Sequence, residues 1–193
     1  QLHAAQTLGF YVPPTVIANT PDAVPVLGEP TTSLAVKGLD TVLVRDGDSE
    51  RFGYTEIISA VDLTKENLAS APAILQRALR NKTDLRVTVV GNEAWCAKIA
   101  AAGRPIDGDW RRQKEVLTYA PFDLPSPVSE HCIALVRKLG LAFGAIDLAI
   151  ADGRFFFLEV NPTGEWAWLE PHLGSPVAPA IARFLACQPV AVA

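Results

Sequence analysis

Residue type and setting conflict most sharply in Phe155-Phe-Phe-Leu-Glu-Val-Asn-Pro162. A carboxylate inside so apolar a run is costly to bury unless it is paired or holds a metal. Glu159 and Asn161 are two apart, hence on one face of a strand. Ala145-Ile-Asp-Leu-Ala149 sets Asp147 in an equally apolar run, and a hairpin turning at Asp152-Gly153 would bring Asp147 near Glu159. Three oxygen ligands with no nearby cation suit Mg²⁺, which uses one or two carboxylates and completes its shell with water and phosphate oxygens. The same residues also fit a plainer arrangement, in which a strand-end carboxylate pairs with an arginine and an asparagine turns the chain before proline.

A second set is cationic. Lys37 ends an apolar strand, Arg86 sits inside Asp84-Leu-Arg-Val-Thr-Val-Val-Gly91, and Arg111 closes Asp109-Trp-Arg. Arginine grips phosphate oxygens with a rigid fork, and lysine meets them as a compact charge. Any one of these alone reads as a surface cation. Beside the Asp/Glu/Asn set they describe a nucleoside triphosphate site built without a glycine-rich phosphate loop, since neither Gly-x-x-x-x-Gly-Lys-Ser/Thr nor Gly-x-Gly-x-x-Gly occurs. Two denser groups, Arg77, Arg80, Lys82 and Arg86, then Arg104, Arg111, Arg112 and Lys114, suit either an acidic substrate or an ordinary solvated face. The three cysteines and three histidines lack metal-ligand spacing, which argues against a structural zinc site.

The elements that must position these groups alternate without a regular βαβ rhythm. Leu2, Ala5 and Leu8 mark a helix stopped by Gly9, and Val12-Pro-Pro-Thr15 is extended. Asn19-Thr-Pro-Asp22 caps a short helix to Leu27, and Ser33–Lys37 is a strand. Residues 38–53 form a polar hairpin or a mobile loop. Strands are expected over 54–61, 73–76, 85–90 and 93–101, with 103–115 charged and irregular. A helix over 126–139 ends at Gly140, two strands over 143–150 and 155–161 meet at Asp152-Gly153, and 176–186 is a last apolar helix. The class is α+β with antiparallel sheets.

Composition sets the outer bounds. The chain has 193 residues, 49% hydrophobic and 20% charged, enough for a real core and too apolar for a disordered tail. A net charge of −4 argues against a nucleic-acid partner held by bulk positive charge. No apolar run approaches the ~20 residues of a membrane helix, and no signal peptide is visible, so no membrane partner is expected. Three sparse cysteines read as a reducing, cytoplasmic setting. Methionine is absent and the chain opens inside a helix, so a preceding region is expected to be missing.

Four motifs occur in the order found in a known family: Asp84-Leu-Arg-Val-Thr-Val-Val-Gly91, Asp109-Trp-Arg111, Leu139-Gly-Leu-Ala-Phe-Gly-Ala-Ile-Asp147 and Phe157-Leu-Glu-Val-Asn-Pro-Thr-Gly164. With Trp166-Ala-Trp168, Glu170 and Gly174-Ser-Pro-Val-Ala-Pro-Ala-Ile-Ala182, they resemble the ATP-grasp ligases. Within these they are similar to the maturases of microviridins and other graspetides, without that family's N-terminal domain. The resemblance implies an ATP-grasp fold whose two α+β lobes, residues 1–75 and 76–193, clamp the nucleotide. It implies Lys37 on the ATP phosphates, Gln76, Arg77, Ala78 and Leu79 as the hinge meeting adenine through backbone groups, and Leu158 in the adenine floor. Arg86 and Arg111 would hold the γ-phosphate or acyl phosphate, and Asp147, Glu159 and Asn161 would bind Mg²⁺. The family's Lys-Pro-Leu is Lys37-Gly-Leu here, its hinge glutamate is Arg77, and its Asn-Pro-Asn-Gly-Gln is Asn161-Pro-Thr-Gly-Glu165. Arg77 cannot accept the hydrogen bonds a carboxylate would.

The activity so implied is ATP-dependent activation of Asp or Glu side chains in a ribosomal precursor peptide. Ester or amide crosslinks to Ser, Thr or Lys would follow, and a homodimer is compatible with this. The rivals are a ligase adding amino acids to a protein C-terminus and a nucleotide-binding module without activity.

Overall fold

The protein is described by a computed structural model covering residues 1–39, 43–46, 49–101, 106, 108–174 and 176–187. In chain order the first part gives α1 (Leu2–Thr7), β1 (Thr15–Ala18), β2 (Ser33–Lys37), β3 (Leu43–Asp46), β4 (Ser49–Phe52), β5 (Glu56–Ser59), α2 (Lys65–Leu68) and β6 (Ala73–Arg77). The second gives β7 (Thr83–Val90), β8 (Glu93–Ala101), β9 (Leu117–Pro121), α3 (Ser126–Lys138), β10 (Phe143–Ala151), β11 (Arg154–Asn161), α4 (Glu170–Leu173) and α5 (Val177–Ala186). The chain packs as two units, one of residues 13–81 and 106–115, the other of 1–12, 82–105 and 116–193. A lobe boundary at 75/76 would fall inside β6.

The unit of residues 13–81 and 106–115 is built on an antiparallel sheet of order β1-β6-β2-β5. Leu34 and Leu75 are fully buried on one face, against Val24, Leu27, Ala60, Leu63 and Leu68. The stretch expected as a strand over 54–61 is one only from Glu56 to Ser59. Thr55 N–H is taken by the Asp109 carboxylate, and the N–H groups of Ala60 and Val61 turn to the carbonyls of Thr32 and Pro30. Within 38–53 the hairpin alternative holds for β3 and β4, tied by an exposed Arg45–Glu50 ion pair of 2.9 Å. Residues 40–42 and 47–48 of that stretch lie outside the described residues.

The other unit carries a five-stranded antiparallel sheet, order β11-β10-β7-β8-β9. Its two faces follow from the two-residue period. On β7, Leu85, Val87 and Val89 enter a core with Ala5 of α1 and Cys132, Leu135 and Val136 of α3. Asp84, Arg86 and Thr88 alternate with them onto the opposite face. The β10–β11 turn is made by Asp152 and Gly153 with φ of 48° and 70°, the paired left-handed geometry that a two-residue hairpin needs. Strand β9, the helices α2 and α4 and residues 16–18 of β1 lie outside the expected elements. Among the described residues no helix is long and apolar enough to cross a membrane.

Candidate active site

Three strands of the larger sheet bring the chemistry-bearing residues into one row. Arg86 of β7 lies opposite Asp147 of β10, and Asp147 lies opposite Glu159 of β11. A bulge between the Asp147 and Leu148 pairings sets Leu148 opposite Phe157, leaving Leu158 as the extra residue on β11. That one residue lets Phe157 and Val160 both face the core while Glu159 and Asn161 share the other face. A regular strand would have put Phe157 on the side of Glu159.

The expectation of no nearby cation is corrected here. Arg86 Nη1 donates to Asp147 Oδ1 at 2.9 Å, with only 8% and 15% of the two side chains exposed. The pair is buried enough that removing either partner would strand a charge. Its hydrogen bonding is incomplete. Arg86 Nε and the Thr88 hydroxyl, two residues on along the same face, are buried without a partner among the described residues. Orphaned buried donors of this kind are uncommon and mark a place where a further group belongs.

A glycine turn covers the row. Arg86 Nη2 donates to the Glu165 carbonyl at 3.3 Å, and Gly164 N–H closes onto the Asn161 carbonyl at 3.3 Å. A Cβ at Gly164 would stand 2.4 Å from Ala145 Cβ and 2.8 Å from Arg86 Nη2. Only glycine lets this backbone lie so close to the sheet. Asn161 Oδ1 accepts from the Thr163 N–H at 3.3 Å and from its hydroxyl at 3.4 Å. The plainer reading of the asparagine as a turn residue is therefore also realised. Two carboxylates and an amide oxygen beside a partly satisfied arginine suit a hard cation that takes most of its shell from phosphate and water. They are too few for a closed protein cage, and among the described residues no three His, Cys, Asp or Glu side chains gather as one.

The remaining expected site residues belong to the other unit, apart from Leu158 on the bulge. Lys37 Nζ donates to Gln76 Oε1 at 3.2 Å, Gln76 Nε2 to the Thr15 hydroxyl at 2.8 Å, and that hydroxyl to the Pro13 carbonyl at 2.7 Å. The chain of bonds fixes Lys37 across three neighbouring strands, with Gln76 buried at its centre. Arg77 turns the other way and clasps the Leu27 carbonyl with Nε at 3.0 Å and Nη2 at 2.6 Å. The N–H groups of Arg77 and Ala78 are spent on the carbonyls of Pro14 and Ser33, both at 2.9 Å. Any adenine contact through those two donors would displace bonds already made; Leu79 follows directly.

Arg111 lies along a carboxylate that the sequence reading passed over. Its Nε and Nη2 donate to Asp109 Oδ1 and Oδ2 at 2.9 and 3.0 Å, and its backbone N–H reaches Oδ1 at 3.0 Å. Burial pushes the Asp109 carboxyl up, but the hydrogen bonds and charge of Arg111, with the N–H groups of Thr55 and Arg111, outweigh it and hold the pKa below the ordinary value. Several of the grouped cations are likewise committed within their own units. Lys82 holds both oxygens of buried Asp84, Arg80 meets Ser33, and Arg112 meets Glu56 while lying 5.5 Å from the Tyr54 ring centre. Arg104 lies outside the described residues.

No protein-family model and no curated protein matches the sequence. Solved structures do. A RiPP-associated ATP-grasp ligase of Chryseobacterium gregarium, in complex with ADP and a leader and core peptide, superposes with a TM-score of 0.84 at 23% identity over 98% of this chain. The macrocyclase MdnC of Microcystis aeruginosa MRC, bound with precursor peptide MdnA, gives 0.76 at 28% over 96%, and the macrocyclase MdnB of the same organism gives 0.70 at 31% over 97%. The fold is ATP-grasp. The α+β class and the resemblance to ribosomal-peptide ATP-grasp ligases are both borne out. The chain spans 59%, 57% and 58% of those three proteins. The ATP-grasp sheet thus carries a polar row that its sequence announced, with a bulge and a buried Arg86–Asp147 pair that it did not.

Proposed function

We propose that this chain forms an ATP-dependent carboxylate ligase acting on a ribosomally made precursor peptide in the cytosol. The peptide's Asp or Glu carboxylate attacks the γ-phosphorus of ATP, ADP leaves, and an acyl phosphate results. A Ser or Thr hydroxyl, or a Lys amine, then attacks the acyl carbon and releases phosphate, giving an ester or amide. The observation that carries this reading is the Arg86–Asp147–Glu159 row, with its orphaned Arg86 Nε and Thr88 hydroxyl. The solved ATP-grasp relatives, described in complexes with ADP or precursor peptide, support it.

Asp147, Glu159 and Asn161 would hold Mg²⁺, which when bound neutralises phosphate charge. The chain's own part is to orient and to exclude water. Arg86 offers a fixed guanidinium to a phosphoryl or carboxylate oxygen, its plane set by Asp147 and the Glu165 carbonyl. Lys37, braced by Gln76, meets the phosphates, and Arg111 meets the γ-phosphate or acyl phosphate. Gln76 to Leu79 would meet adenine through backbone groups other than the Arg77 and Ala78 N–H groups, which are already bonded, with Leu158 in its floor. No feature of the row favours an amino-acid-adding ligase or an inactive module.

Trapping with hydroxylamine tests the proposal. Protein, Mg·ATP and an acidic precursor peptide should give peptide hydroxamate and stoichiometric ADP, and Arg86→Ala should give neither. Hydroxamate formation undiminished in Arg86→Ala would overturn the role of the row.

A further inference from the structure

The sequence points to Arg111, yet the buried group in its segment is Asp109. The Asp109 side chain is 3% exposed while that of Arg111 is 45% exposed. The carboxylate collects four donors: Arg111 N–H, Nε and Nη2, and the Thr55 N–H at 3.1 Å. Three come from the one residue and one from the strand-side segment just before β5. One edge of the guanidinium is thereby locked in a two-point clasp, and the plane of an otherwise solvent-reaching side chain is set. A long exposed arginine left to itself would lose most of its rotamer freedom on meeting a phosphate, and prepaying that loss is what positioning supplies.

A plainer role competes. Asp109 precedes the 3₁₀ turn Trp110–Val116 and could serve only to cap it. Two observations separate the roles. A cap needs one side-chain acceptor for a backbone N–H, which Oδ1 already provides to Arg111, whereas both oxygens also accept from the guanidinium. The segment is also docked a second time, by Arg112 on Glu56 and over the Tyr54 ring, so its place against residues 54–56 does not rest on Asp109 alone.

We propose that Asp109 is the positioning residue of Arg111, setting the guanidinium edge that meets the phosphoryl group in the ligase reaction. The inference rests on the proposed role of Arg111. Asp109→Asn keeps the size and one acceptor but turns an amide donor against N–H groups that need acceptors. Peptide-dependent ADP release by Asp109→Asn should fall by at least about tenfold in kcat, matching Arg111→Ala, with KM for ATP unchanged. Adding Asp109→Asn to Arg111→Ala should change kcat by less than about twofold, because the two act as one unit. Arg112→Ala, which loosens the same segment without touching the clasp, should keep kcat within about threefold of the parent. The ¹⁵Nε–¹H signal of Arg111 should be sharp in the parent and lost to exchange in Asp109→Asn.

Losses that multiply in the double variant would overturn the positioning role while leaving Arg111 in place. Wild-type kcat in Arg111→Ala would overturn the role of Arg111 itself, and a retained Nε–H signal in Asp109→Asn would show that the clasp does not hold the guanidinium.

Discussion

Alanine at position 164 is the smallest change that should disturb the row without altering a charge. The added Cβ would meet Ala145 Cβ at 2.4 Å, where ordinary contact begins at 3.4 Å, so the covering turn must retreat by about 1 Å. Ala145 cannot yield, being fully buried in β10 between β7 and β11. Retreat by that amount would take the Glu165 carbonyl, now 3.3 Å from Arg86 Nη2, out of hydrogen-bond range. Overpacking of this kind costs about 1–3 kcal/mol. The strained turn begins at Asn161, so affinity for Mg·ATP should fall by roughly tenfold, about 1.4 kcal/mol. Calorimetric titration of Mg·ATP and a thermal melt read the two effects separately. A lower melting temperature with unchanged Mg·ATP affinity would refute the placing of the nucleotide at this turn. An unchanged melting temperature would refute the packing argument itself.

Three further outcomes follow from the same residues. Glu159→Gln removes one anionic ligand while keeping the strand, and should weaken Mg·ATP binding and abolish turnover with the fold intact by circular dichroism; undiminished turnover would contradict the metal role. Asp109 has a native pKa below its unfolded value of 3.8, so its contribution to stability is present above that pH and is lost as pH falls through the lower native pKa. The parent's melting temperature should therefore drop more steeply than that of Asp109→Asn below about pH 4, and parallel curves would count against the clasp. The β3–β4 hairpin should exchange its amide hydrogens more slowly when Mg·ATP is added, if it closes over the phosphates; equal exchange in both states would make it a bystander.

Much of this site could be read from sequence because it obeys short periods. Asp152-Gly153 announces the hairpin, and the two-residue spacing of Glu159 and Asn161 puts both on one face. The bulge at Leu158 could not be read, since Phe-Phe-Phe-Leu-Glu-Val-Asn is consistent with either register until its partner strand is known. The Arg86–Asp147 pair joins residues 61 apart, a contact fixed by strand order rather than by local pattern. Asp109 was hidden differently. It sits two residues from Arg111 in plain view, but an Asp–Arg spacing that short usually means a solvated surface, and only burial of the carboxylate reveals the clasp. The cation groups read equally as a patch facing an acidic substrate or as a solvated face, because sequence shows charges and not their partners; Lys82, Arg86, Arg111 and Arg112 each face a carboxylate nearby.

Mass spectrometry of an acidic, Ser/Thr/Lys-containing precursor peptide after incubation with the protein and Mg·ATP tests the ligase reading most directly. The peptide should lose the mass of one water for each crosslink formed, with one ADP released per water lost and no loss when ATP is withheld. ADP release with no change in peptide mass, or a gain in mass from an added amino acid, would contradict it.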